Sequence, residues 1–220
     1  SVGVSGYTDK SLTRDLEVPK EFTERKLVFK LFPATSEVLE KIRHKRDPLS
    51  LPFTSEVAAR LLNDLSLYRV LKKETAQAGK LLELTHEIEQ KILQLQSYTL
   101  QDGSFNWIRF IPTKDINPTL FNYYVLASAK KIGFKIDEEK IKQSGEFLFS
   151  AFHKTVNLEE KALILWALNQ YQSVEYSYIN RLYRSRASLS GRGLALLTLI
   201  MMNENRLPEA DTLSLMLISK

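Results

Sequence analysis

Three stretches of this chain are almost wholly apolar and recur. They are Tyr124–Gly133, Leu163–Tyr171 and Leu194–Met202, each containing small residues. Each is followed by a short turn and then by a half-polar segment of helical period. A helix apolar on most sides has to be buried, and one with a single apolar stripe covers it. A recurrence at roughly 30–40 residues is the mark of a repeat array. The pattern therefore predicts a mainly α chain. Apolar inner helices pair with amphipathic outer ones in an α/α toroid, or an arc of one.

The punctuation supports that reading. Thr54 or Ser55 can cap a helix carrying Val57, Leu61, Leu62, Leu65, Tyr68 and Leu71. A second helix spans about 76–100, with Leu81, Leu84, Ile88, Ile92 and Leu95 on one face. Asp102-Gly103 breaks the pattern as a turn pair, with Phe105 and Trp107 directly behind it. Aromatics placed so close to a turn predict a loop folded back onto helix ends, with both rings largely buried. Asn117-Pro118 reads as a cap and first helical position, Gly133 as a helix stop and Asp137 as the next cap. Later helices are expected at 158–171, across Tyr178–Tyr183, over Gly193 to Met202 with Ser188-Leu189-Ser190 opening it, and from Pro208 onward.

The beginning of the chain differs. Residues 1–15 are polar, with Gly and Ser and no apolar period. Leu27-Val28-Phe29-Lys30-Leu31-Phe32 reads as one or two strands bounded by Pro19 and Pro33. Such strands need a further surface to pack on. The expected division is 1–34, a lead and the end of a β-domain, and 35–220, the helical domain.

Composition removes several classes of function. No cysteine is present among the 220 residues, so disulfides, thiolate nucleophiles and Cys-containing zinc sites are all excluded. His44, His86 and His153 are scattered and form no metal-binding spacing. The net charge of +5 comes from basic residues interspersed with acids, as in Glu138-Glu139-Lys140 and Glu159-Glu160-Lys161. That describes solvated helix faces, not a nucleic-acid groove. Glu pairs at helix starts also match the positive end of the helix dipole. No run of 18 uncharged apolar residues occurs, and no charged segment followed by an apolar one opens the numbering.

Several motifs in order carry a family resemblance. Gln101-Asp102-Gly103-Ser104-Phe105-Asn106-Trp107 resembles the Gln…Asp-Gly-Gly-Phe…Trp loop in the helical thioester-type domain of bacterial alpha-2-macroglobulins, with Ser104 in place of one Gly. Asn122–Phe134 is similar to that family's Tyr-x-Leu-x-Ala-Lys-x-x-Gly helix. Leu182-Tyr183 and Leu189–Leu197 resemble its later outer-to-inner step. The resemblance covers about 35–220. Many relatives carry Pro-Tyr-Gly-Cys-x-Glu-Gln at the first major helix, where Cys and Gln form an internal thioester. The corresponding place here is a degenerate Phe53-Thr54-Ser55-Glu56, with neither Cys nor the following Gln.

The resemblance implies a non-catalytic domain of a longer chain that traps or inhibits proteases without covalent capture. Its partners would be target proteases and the other domains of that chain. It would need no cofactor, and membrane association would come only through an anchor on the parent. The implied location is the periplasm, the cell envelope or the exterior. Arg181, Arg184, Arg186 and Arg192 form the one local basic concentration, either a partner surface or a solvated face. A plain interaction scaffold is the alternative. An α/α-barrel carbohydrate-active enzyme also stays open, because its two carboxylates can come from anywhere in the sequence. Terpene cyclases need an Asp-x-Asp-Asp pattern, which is absent.

Overall fold

The computed structural model describes residues 53–73, 78–108, 111–113 and 115–219. The expected strands between Pro19 and Pro33 and the rest of the 1–34 segment lie outside the described residues.

Among the described residues, eight α-helices follow one another: α1 (Thr54–Leu71), α2 (Ala78–Gln96), α3 (Asn117–Ile132), α4 (Glu138–Lys154), α5 (Leu158–Leu168), α6 (Tyr176–Arg184), α7 (Gly191–Asn203) and α8 (Leu207–Ile218). A single 3₁₀ turn, Arg186–Ser188, joins α6 to α7. Among the described residues, β pairing is confined to isolated bridges.

The packing alternates. Each odd-numbered helix packs on the next odd one, α1 on α3, α3 on α5 and α5 on α7. The even helices cover them: α2 lies on α1, α4 on α3 and α5, α6 on α5 and α7, and α8 on α7. Burial follows the same division. Inner α3 buries Leu120, Tyr123, Val125, Leu126, Ala127 and Ala129, residues that face several directions around the helix. Outer α2 buries Leu84, Ile88, Ile92 and Leu95, one stripe at i, i+4, i+8 and i+11. Each fully buried Leu or Ile contributes about 1.5–3 kcal/mol. The expected α/α arrangement of inner and outer helices is what the described residues form.

The helix ends are set by the residues that the sequence marks. Gly133 adopts φ 108°. Its N–H donates to Lys130 O, and Phe134 N–H reaches back to Ala129 O, the double closure of a Schellman motif. Asn205, at φ 59°, does the same for α7 through Met202 O and Met201 O. Asp137 accepts from the amides of Glu139 and Lys140, and Asn157 from those of Glu159 and Glu160.

Polar groups also tie the helices together. Asp64 of α1, almost wholly buried, pairs with Lys91 of α2 at 2.8 Å. Glu159, in the first turn of α5, accepts from Ser190 N at 2.5 Å and Ser190 Oγ at 2.8 Å. Ser190 is itself the cap of α7. The Glu159 carboxylate therefore serves the start of a neighbouring inner helix as well as its own.

Candidate functional site

Two segments that lie about fifty residues apart in the chain meet here. Phe53 and Ile108 form an antiparallel bridge. Thr54 N donates to Trp107 O at 3.0 Å, and Thr54 Oγ1 donates to Asn106 O at 2.5 Å. Thr54 is fully buried. The start of α1 is thus joined directly to the aromatic loop.

This corrects one expectation. Neither Thr54 nor Ser55 caps α1; Phe53 occupies the cap position and makes no side-chain bond there. Thr54 has turned its hydroxyl to the loop instead. Withdrawn from solvent and committed to a carbonyl, the hydroxyl joins the two segments. Two residues on, Glu56 pairs with Arg60, one turn further along α1.

The loop is built by short polar bonds. Leu100 N–H donates to Ser104 O, and Gly103 N–H to Leu100 O. Asp102 Oδ1 accepts from both the amide and the hydroxyl of Ser104, an Asx turn. Gly103 has φ 82°, and a Cβ there would lie 2.3 Å from Gln143 O of α4. Both its conformation and its contact demand glycine. The loop is pressed against the backbone of α4.

Beyond the turn, Phe105 is buried and its N–H donates to Thr119 Oγ1 at 2.9 Å. Asn106, also buried, accepts from Thr113 N through Oδ1. Trp107 departs from expectation: it is 38% exposed. Its indole N–H donates to Asp115 Oδ2 at 2.9 Å, so one edge of the ring stays at the surface with a polar partner.

Asp115 organises the start of α3. Its Oδ1 accepts from Asn117 N and Nδ2. Asn117 is therefore the first helical residue, not the cap as its sequence position suggests. The Asn117 amide bond holds the Asp115 carboxyl below its usual range, against a burial effect that raises it, with smaller help from Trp107 and the Asn117 side chain. The signal was present in the sequence: an acid two residues before Asn-Pro can take the helix's free amides.

The basic concentration is only partly assembled. Arg181 and Arg184 are exposed on α6, and Arg192 is exposed in the first turn of α7. Arg186 folds back, stacking over Tyr183 at 4.4 Å and donating to its carbonyl. Among the described residues, no group of three or more His, Asp or Glu is placed to hold a metal ion. None of the described helices is long and apolar enough to cross a membrane.

No protein-family model matches the sequence, and no curated protein matches it. Among solved structures, the fold is similar to a crystal structure of native alpha-2-macroglobulin from Escherichia coli spanning domain MG7 to the C-terminus. The TM-score is 0.65 at 12% identity, over 86% of this chain and 31% of that one. The chain thus corresponds to under a third of the structure that it matches.

Proposed function

We propose that this chain is the helical domain of an alpha-2-macroglobulin-like protein that restrains proteases sterically, without a thioester. The observation that carries the reading is the Thr54 joint in a fold similar to a bacterial alpha-2-macroglobulin. The residues at the thioester position are spent on holding α1 to the loop, and the chain has no cysteine to supply a thiolate. The domain itself catalyses nothing. Its work is to move as a rigid body when cleavage elsewhere in the parent releases neighbouring domains. The parent acts in the periplasm, the envelope or outside the cell.

Two measurements test this. Methylamine opens a thioester, so the intact mass of the chain should stay unchanged on treatment. The full-length parent is then incubated with a panel of proteases, and cleavage of a small peptide is compared with cleavage of a protein substrate. A caged protease keeps its active site, so the peptide should be cut and the protein spared. Equal loss on both substrates indicates active-site blockade and rejects the trap. No effect across the panel leaves the interaction-scaffold reading instead.

A further inference from the structure

A cavity of about 490 Å³ lies among α3, α4, α6 and the turn that leaves α5. That is within the range of small-ligand sites. Its lining includes neither the Thr54 joint nor any of the exposed arginines.

The floor is Tyr123. The residue is 1% exposed, and its hydroxyl has no hydrogen-bond partner among the described residues. It sits beside Gly145, whose missing Cβ would lie 3.5 Å from that oxygen. A glycine inside α4 leaves open the space that the hydroxyl faces. Burial, with a smaller contribution from Tyr171, pushes the Tyr123 phenol far up, so it stays neutral and retains one donor and two acceptor positions.

The walls are aromatic. Phe149 and Tyr178 line the cavity and meet edge to face at 5.4 Å. Phe152 and His153 pack on the same pair, which fixes both rings. Tyr171 completes the lining. Lys130 already places its ammonium 4.5 Å over the Tyr171 ring. It also donates to Glu138 at 2.7 Å. That pair is satisfied internally.

The mouth is acidic. Glu139, Glu146 and Glu175 line it with Lys142 as the opposing charge. Three carboxylates against one ammonium leave an excess of negative charge beside aromatic faces and an unfilled hydroxyl.

We propose that this cavity binds an organic cation, a guanidinium or ammonium on an aliphatic stem. The stem would lie along the outer surface of the Phe149–Tyr178 pair, whose rings touch each other. The cation would be held by the ring faces and the Glu146 and Glu175 carboxylates, with Tyr123 Oη accepting one of its N–H bonds. Such a group can come from an arginine or lysine side chain of another protein or from a free amine.

The experiment follows the aromatic proton resonances of the full 220-residue chain during titration. The probes are the peptide acetyl-Gly-Arg-Gly-amide, the same peptide with neutral citrulline in place of Arg, and agmatine. The Arg peptide or agmatine should shift the Tyr123, Phe149 and Tyr178 signals saturably, and the citrulline peptide at least tenfold more weakly. Tighter binding of the peptide assigns a protein side chain as the source, and binding of agmatine at least as tight assigns a free amine. The double variant Glu146→Gln/Glu175→Gln should weaken binding about tenfold, while Gly145→Leu, which fills the cavity, should abolish it. Unchanged helical circular dichroism in both variants separates loss of the site from loss of the fold. Equal binding of the citrulline peptide, no saturable shift from any probe, or full affinity in the folded Gly145→Leu variant overturns the proposal.

Discussion

Thr54 illustrates how much one side chain can hold when nothing else can replace it. Its amide and hydroxyl both reach the loop carbonyls of 106 and 107. Thr54→Val keeps the shape and removes the donor, leaving a buried carbonyl short of its bond. The expected cost is about 1–3 kcal/mol in chemical denaturation, with Thr54→Ser recovering most of it. A Val variant as stable as the parent chain would show that the joint carries no weight. The two aromatics of the loop should behave differently from each other. Phe105 is fully enclosed and Trp107 is not. Phe105→Ala should cost about 3–5 kcal/mol, and Trp107→Ala clearly less. An equal loss would mean that the exposed indole edge contributes as much as a core ring. Asp115 gives a pH dependence with a definite sign. Its folded-state pKa is held below the ordinary 3.8. The stabilisation is therefore complete above that value and is lost as pH falls through the lower, folded one. The indole N–H resonance of Trp107 should report protonation with a midpoint below 3.8, and Asp115→Asn should remove that titration. A midpoint at or above the ordinary value rejects the assignment.

At the scale of elements, the residue types decided most of what could be read in advance. Gly133, Asp137 and Ser190 each specify a helix end by a local mechanism, so their sequence neighbours suffice. The inner and outer roles were equally legible, because all-round apolarity has one physical outcome. What escaped were bonds between elements. Thr54 looked like a cap because Thr before an apolar run usually is one. Its partner carbonyls lie fifty residues away, and no local pattern announces them. The pairing of Glu159 with Ser190 was hidden for the same reason; its place at a helix start points only to the dipole of its own helix. The cation cavity was invisible too. Its floor, wall and mouth come from helices whose proximity only the fold sets. The Glu159 bond has a measurable consequence. Glu159→Ala removes the acceptor of two α7 hydrogen bonds but leaves Asn157 to cap α5. It should cost about 1–2 kcal/mol and speed amide exchange at the α7 N-terminus more than in α5. Exchange altered only in α5 would show that the carboxylate serves its own helix alone.

For the described helical array, the order of packing sets the order of stability. An inner helix is covered by neighbouring inner helices and by outer ones; an outer helix rests on one or two inner ones and on water. Tyr124 of α3 stacks on Trp166 of α5 at 4.9 Å, an inner-to-inner contact. At the other extreme, α6 has nine residues, of which Ile179 and Leu182 are buried. Its exposed Arg181 and Arg184 add no burial. Local opening should follow this gradient, since segments with few buried contacts open at lower free energy than the whole chain. Native-state amide hydrogen exchange is the direct measurement. Protection should be greatest in α3 and α5 and smaller in α2 and α4, and α6 should open first among the helices between α2 and α7. The Arg181→Glu/Arg184→Glu variant should leave that gradient unchanged and shift global stability by no more than about 0.5 kcal/mol, as surface substitutions usually do. If that variant also weakens binding of the parent to a partner protein, the arginines form its contact surface. Uniform protection across all the helices, or an α6 as slow as α3, would contradict the division into inner and outer helices on which the fold description rests.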